Sequence, residues 1–167
     1  MAIRQIRLDG DPILTKNCKE VKEMTPRLLT LIGDMYETMY DANGVGLAAP
    51  QVGVLRRIVV IDVGDGPVTL VNPVIEESDG SQTGSEGCLS LPGKAGQVTR
   101  PQHVIVRALN EKMEEIRVEG EDLFARALCH EIDHLSGHMY TELVEGALYD
   151  VTYEDEDEEG QEDRTSE

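Results

Sequence analysis

Leu123-Phe124-Ala125-Arg126-Ala127-Leu128-Cys129-His130-Glu131-Ile132-Asp133-His134-Leu135-Ser136-Gly137 reads as one amphipathic helix that carries chemistry. Phe124, Leu128, Ile132 and Leu135 recur at three- and four-residue steps, and Gly137 supplies the stop. His130 and His134 stand four apart, so both imidazoles lie on one helix face, about 5 to 6 Å apart at Cβ, and can reach one metal ion. Glu131 sits beside them as a candidate base. The plain alternative is two histidines and a glutamate on an exposed helix that bind nothing. Against it, the chain has only four histidines and two of them take this spacing around a glutamate.

Upstream, Thr25-Pro26 pairs an N-cap residue with proline at the first helical position, and Leu28, Leu31, Ile32, Met35 and Met39 follow at helical steps. This earlier helix should end near Asn43-Gly44, since both residues tolerate the left-handed conformation common past a helix end. Between the helices lie β-branched stretches, Ile58 to Val63, Val68 to Ile75, Val104 to Leu109 and Ile116 to Val118, separated by turns. Helix, several strands, helix is an α+β order. The expected architecture is a mostly antiparallel sheet packed around a central metal-binding helix, with an N-terminal helix.

A catalytic metal site needs a third protein ligand and one position left for water. Downstream candidates are His138, Glu142 and Glu145; upstream, Glu86-Gly87-Cys88-Leu89-Ser90 offers a thiolate in a glycine-containing loop. Cys129 points about 100° away from His130 on the helix and reads as packing, and Cys18 as structural. Asp133 either orients a ligand or is solvated. The segment Gly44-Val45-Gly46-Leu47-Ala48-Ala49-Pro50-Gln51-Val52-Gly53 lets the backbone approach something closely, and Gln51 is its one amide side chain. It is not a phosphate loop, because Gly-Lys-Ser/Thr is absent.

With 167 residues the chain fits one domain, expected over 1–150. Fifteen basic against 33 acidic residues give a net charge of −18, of which residues 154–167 carry −8. That stretch, EDEDEEGQEDRTSE, has nothing apolar to bury, and 151–167 is expected to be a disordered acidic tail. So negative a chain repels phosphate backbones, which argues against direct nucleic-acid binding. No apolar run approaches the ~18 to 20 residues of a membrane span. Three cysteines cannot all pair, and the opening MAIRQIRLDGDP lacks a secretory signal, so a cytoplasmic location is expected.

Three segments together, GVGLAAPQ (44–51), EGCLS (86–90) and HEIDH (130–134), resemble the signature motifs of peptide deformylases. The likeness runs over residues 1 to about 145 and includes IRLDGDPIL (6–14) and VNPVI (71–75). It implies that Cys88, His130 and His134 bind one divalent metal, ferrous iron in cells, with zinc, nickel or cobalt able to take the same ligands. The implied reaction removes the N-formyl group from the initiator methionine of new polypeptides, releasing formate; such an enzyme meets its substrate at the ribosome, and the −8 of residues 154–167 argues against stable ribosome docking through the tail. The resemblance makes Glu131 the proton carrier, and has the Gln51 amide and the Leu89 backbone N–H meet the charge developing on the formyl oxygen. It also places Gly44, Val45, Gly46, Gly87, Leu91 and Leu128 around the substrate. Two departures stand out. Gly93-Lys94-Ala95-Gly96 occupies the place where many relatives carry an arginine, with Lys94 or Arg100 as substitutes, and Cys129 replaces a frequent glutamine.

Three other readings compete. A zinc endopeptidase would use Glu142 or Glu145 as third ligand and dispense with Cys88. A cysteine hydrolase would use Cys88 as nucleophile without metal. A non-enzymatic protein would keep the site only to bind metal or peptide ends.

Overall fold

The computed structural model describes residues 2–151. The first helix, α1 (Pro26–Asp41), opens as its sequence dictates: the Thr25 side chain accepts from the Leu28 N–H, and Pro26 takes the first position, where its missing N–H costs nothing. Asn43 adopts a positive φ of 57° and turns the chain away. There follow β1 (Gly46–Ala48), β2 (Ile58–Ile61), β3 (Val68–Asp79), β4 (Gln82–Cys88), β5 (Leu91–Arg100), β6 (His103–Leu109) and β7 (Glu115–Glu121). The second helix is α2 (Asp122–Leu135), and β8 (Glu145–Asp150) closes the described chain.

Two antiparallel sheets result, one ordered β1-β2-β3-β6-β7 and a smaller one ordered β4-β5-β8. Strand β2 shows how the larger sheet is used. All four of its residues are buried, and they alternate between faces. Ile58 and Val60 pack with Leu31, Ile32, Met35 and Met39 of α1, whereas Val59 and Ile61 pack with Ala125, Leu128 and Leu135 of α2. The sheet therefore has a helix on each face. On its other side α2 reaches the smaller sheet, where Arg126 donates to the Val98 carbonyl. The helix that carries His130, Glu131 and His134 is thus central.

The α+β class and both helices agree with the sequence reading, with β3 running on to Asp79 and β7 to Glu121. What differs is the EGCLS segment, read as a loop. Glu86, Gly87 and Cys88 end β4, Leu91 begins β5, and Leu89-Ser90 form the two-residue turn between them. A register shift between Glu86 and Cys88 bends the strand end toward α2. The acidic stretch 154–167 lies outside the described residues. No helix among the described residues is long and apolar enough to cross a membrane.

Candidate metal centre

Three elements converge on one point. Four-residue spacing brings the His130 and His134 Nε2 atoms to 3.2 Å from each other on α2, and the end of β4 places Cys88 Sγ 3.4 Å from His134 Nε2. All three donor atoms lie within 4.8 Å of one another. An ion held tetrahedrally at about 2.0–2.1 Å from nitrogen and 2.3 Å from sulfur separates its ligands by about 3.3 to 3.6 Å, so His134 Nε2 already stands at about ligand spacing from both other donors. Glu142 bonds His138 and the Met139 N–H, and Glu145 accepts from Thr99, so neither downstream carboxylate joins the cluster. The Tyr140 ring instead stacks on His130 at 5.9 Å.

Glu86, quoted in the motif but assigned no role by sequence, turns out to fix the geometry. Its Oε1 accepts from His130 Nδ1 at 2.5 Å and from Arg100 Nη2 at 2.6 Å, and its Oε2 accepts from Arg126 Nη1 at 2.8 Å. Because Nδ1 is the donor in that bond, Nε2 is the nitrogen left to face an ion. Burial alone would raise the Glu86 carboxyl, but the hydrogen bonds from His130 and Arg100 outweigh it and hold it at about 2. In His130, burial is likewise outweighed by the Glu131 charge and by its bonds to Cys88 and Glu86, which keep the ring well above its ordinary value, so an ion binding at Nε2 has to displace a proton there. His134, desolvated and beside His130, is lowered to about 3 and stays neutral, as a ligand must. Asp133 is not merely solvated: it accepts from Arg100 Nη1 at 2.7 Å and completes that arginine's hold on Glu86.

Glu86 also makes the site acid-labile. A carboxyl depressed from 4.5 to about 2 contributes stability that is complete above the unfolded value and is lost as pH falls toward the folded one. Glu86→Gln should therefore lower the stability of the metal-free protein above about pH 4.5 and flatten its loss from there down to about pH 2. Acid titration of the unfolding midpoint reads both effects, and identical slopes in wild type and variant would contradict the assignment.

Glu131 is only 4% exposed, and its Oε1 has no hydrogen-bond partner. Its Oε1 stands 3.9 Å from His134 Nε2, beside the donor cluster. Burial, only partly offset by the His130 charge, pushes this carboxyl up to about 7. An unpaired buried carboxylate is costly unless something is meant to face it. The glycine-rich segment makes room for it: a Cβ on Gly46 would stand 2.5 Å from Glu131 Oε2, and one on Gly44 would stand 2.6 Å from Leu89 Cδ1. Gly46→Ala should therefore displace Glu131 and lower kcat by about 10- to 100-fold while metal content stays near wild type. Unchanged turnover would show that the contact is idle.

Gln51, 1% exposed in the 3-10 turn after β1, is held by its own Oε1, which accepts from the Ala48 N–H. Its Nε2 donates to Ser90 Oγ at 3.0 Å and to Cys88 Sγ at 3.4 Å. A pocket of about 240 Å³ opens in front of the cluster, and Gly44, Val45, Gly46, Gly87 and Leu89 line it. Leu91 and Leu128 do not. Leu91 pairs with Cys88 across the strand turn, and Leu128 lies fully buried in the core. The reason is helical geometry: Leu128 is two residues, about 200°, from His130, whereas Leu123 and Ala127, seven and three before it, share its face and line the pocket. Arg100 is 5% exposed with Glu86 and Asp133 as partners, and Lys94 pairs with Asp150 at the exposed edge, and neither lines the pocket. Cys18 and Cys129 are buried, as expected of packing residues, and burial lifts both thiols to about 11.

Comparison with known proteins places this geometry. Residues 3–147 match the family described as polypeptide deformylase. The peptide deformylase of Agathobacter rectalis is 68% identical over 155 residues, 93% of this chain and 98% of that one. That of Lachnoclostridium phytofermentans is 60% identical over 162 residues, covering 95% and 99%. The crystal structure of peptide deformylase from Thermotoga maritima superposes with a TM-score of 0.84 at 41% identity, over 86% of this chain and 99% of that one. Sequence and fold agree, and the chain belongs to the polypeptide deformylase family of hydrolases.

Proposed function

We propose that Cys88, His130 and His134 hold one divalent ion, ferrous iron in the cell, and that Glu131, Gln51 and the Leu89 N–H carry out the family reaction around it. That reaction is removal of the N-formyl group from the initiator methionine of new polypeptides. The observation that carries the residue roles is the convergence of the three donor atoms within 4.8 Å beside a buried, unpaired Glu131. When bound, the cation supplies Lewis acidity, polarising the formyl carbonyl and lowering the pKa of water. Two imidazoles and a thiolate also accept zinc, nickel or cobalt, so iron is favoured by availability in a reducing cytoplasm rather than by ligand type.

The side chains divide the remaining work. Glu131 takes the proton of the attacking water and passes it to the leaving amine, a shuttle suited to a carboxyl whose burial raises it toward neutrality. As the formyl carbon becomes tetrahedral, its oxygen gains charge. Gln51 Nε2, with its carbonyl end already anchored, and the Leu89 N–H donate to that oxygen, and donors of this kind are worth roughly 2.7 to 4 kcal/mol each. Val45, Leu123 and the small residues Gly44, Gly46, Gly87 and Ala127 leave an apolar slot for an unbranched side chain such as methionine. Residues 1–150 serve as one catalytic domain, and N-formylmethionyl nascent peptides are its substrates.

The test is formate release from a formyl-Met tripeptide by protein purified anaerobically, with metal content measured on the same sample. Turnover with about one metal per chain, abolished by a chelator, is the expected result. Turnover that survives complete metal removal would instead favour Cys88 as a nucleophile, and metal without formate release would reject the reaction.

A further inference from the structure

Charge is distributed unevenly along this chain. Residues 1–57 hold eight basic and seven acidic side chains, whereas residues 58–167 hold seven basic and 26 acidic. The structure gathers much of the basic share into one groove of about 920 Å³, lined by Arg4, Lys19, Lys22, Arg27 and Arg56 against Glu20 and Glu23. Five of the fifteen lysines and arginines thus face one concavity, which shares no lining residue with the pocket at the metal centre. Arg4 is tied to Asp34 at 2.9 Å, but Lys19, Lys22, Arg27 and Arg56 form no salt bridge among the described residues. Four cations without partners, in so acidic a protein, are available to an external anion.

We propose that this groove binds the phosphodiester backbone of RNA. Its wall is preformed: the Asn72 side chain bonds both the N–H and the carbonyl of Val21 at 2.8 Å, and the Lys19 backbone bonds Leu55 and Arg57 at 3.1 and 3.0 Å. Little ordering is then required on binding. The start of α1 opens here with no acid in its first turn, so its dipole adds to the positive potential. No aromatic residue lines the groove, which leaves bases nothing to stack on and makes recognition a matter of phosphates. Whole-chain charge argues against nucleic acid, but Coulomb attraction at contact is local, screened beyond about 8 to 10 Å. The acidic remainder then has a use, since it repels RNA from every other face and fixes the orientation of approach. The choice of RNA over an acidic polypeptide rests on the deformylase reading, because nascent chains emerge across an RNA-rich ribosomal surface.

The experiment is fluorescence anisotropy of the full chain with a labelled RNA hairpin, and with an unstructured RNA of about 12 nucleotides, at about 20 and 150 mM salt. Wild type should bind at low salt. The double variant Lys22→Glu/Arg27→Glu should bind at least about 10-fold more weakly, with a log–log salt slope shallower by about 1.4 on the single-stranded RNA, the equivalent of two phosphates. Lys112→Glu, an exposed cation outside the groove, should stay within about twofold. Formate release from a formyl-Met tripeptide, read on the same samples, should be equal in all three proteins, so loss of RNA binding and failure of the deformylase reading are told apart. Absence of wild-type binding at low salt, or equal binding by the groove variant, overturns the proposal. So does groove-dependent binding of the peptide EDEDEEGQED that is tighter than RNA, which would make this a site for an acidic polypeptide.

Discussion

Glu131→Gln is expected to keep its full complement of metal and to lose about 10²- to 10⁴-fold in kcat, the usual contribution of a positioned general base. Shape is not the cause, since glutamine is isosteric and Glu131 is no ligand. Nor is loss of a structural bond, because its Oε1 has no hydrogen-bond partner in the folded protein. What disappears is the ability to accept a proton at neutral pH, which burial gives to this carboxyl by raising it to about 7 in the absence of an ion. A cation bound beside it favours the ionised form and pulls the value down, so the acid limb of the wild-type kcat/KM profile should lie below about 7. The sign is fixed: the base must be ionised, so the rate rises with pH through that limb, and the residual rate of the variant should lack it. Paired measurement of formate and metal separates the outcomes. A near-normal rate in the variant would remove Glu131 from the mechanism, and a variant without metal would make the residue a structural one.

What could be read from the sequence follows from how local each signal is. The two helices announce themselves through Leu31, Ile32, Met35 and Met39 and through Phe124, Leu128, Ile132 and Leu135, because a helix satisfies its own backbone and shows its period within one segment. Strand β2, all β-branched, is equally plain. Strands β4 and β5 are not. Gly84, Gly87, Pro92, Gly93 and Gly96 oppose extended structure locally, and the strands exist because the chain reverses at Leu89-Ser90 and pairs with itself. Strand β8 is exposed along its whole length, so it has no buried face to leave a pattern.

The site divides the same way. His130 and His134 are separated by one helical turn and were legible; Glu86 acts on His130 from another element, 44 residues away, and no spacing rule reveals it. Arg126 could have been found, since it stands one turn before His130 on the same helix and so shares its side. Leu128, which the resemblance places around the substrate, lies on another side of that same wheel and packs in the core. Net charge carries a comparable lesson, for −18 describes the chain and says nothing about where its cations meet.

Cys88→Ser should abolish both metal retention and turnover, and the reasoning rests on donor chemistry rather than on space. Serine is smaller than cysteine and would fit the end of β4. Its hydroxyl, however, remains protonated at neutral pH and offers a weak neutral oxygen where a thiolate offers charge and a soft donor. Loss of a partner that merely orients a ligand already costs 10- to 100-fold in metal affinity, so losing a ligand itself should cost more than about 100-fold. The protein should still fold, because His130 keeps Glu86, and Glu86 keeps both arginines, without help from the sulfur. Folding is checked by the unfolding midpoint of metal-free samples, which should agree between wild type and variant, whereas added metal should raise the midpoint of the wild type alone. The variant also decides between chemistries. An endopeptidase that draws its third ligand from Glu142 or Glu145 would retain metal without the thiolate, but those carboxylates are engaged with His138 and Thr99. A Cys88→Ser protein that still holds one metal per chain would therefore remove the thiolate from the ligand set.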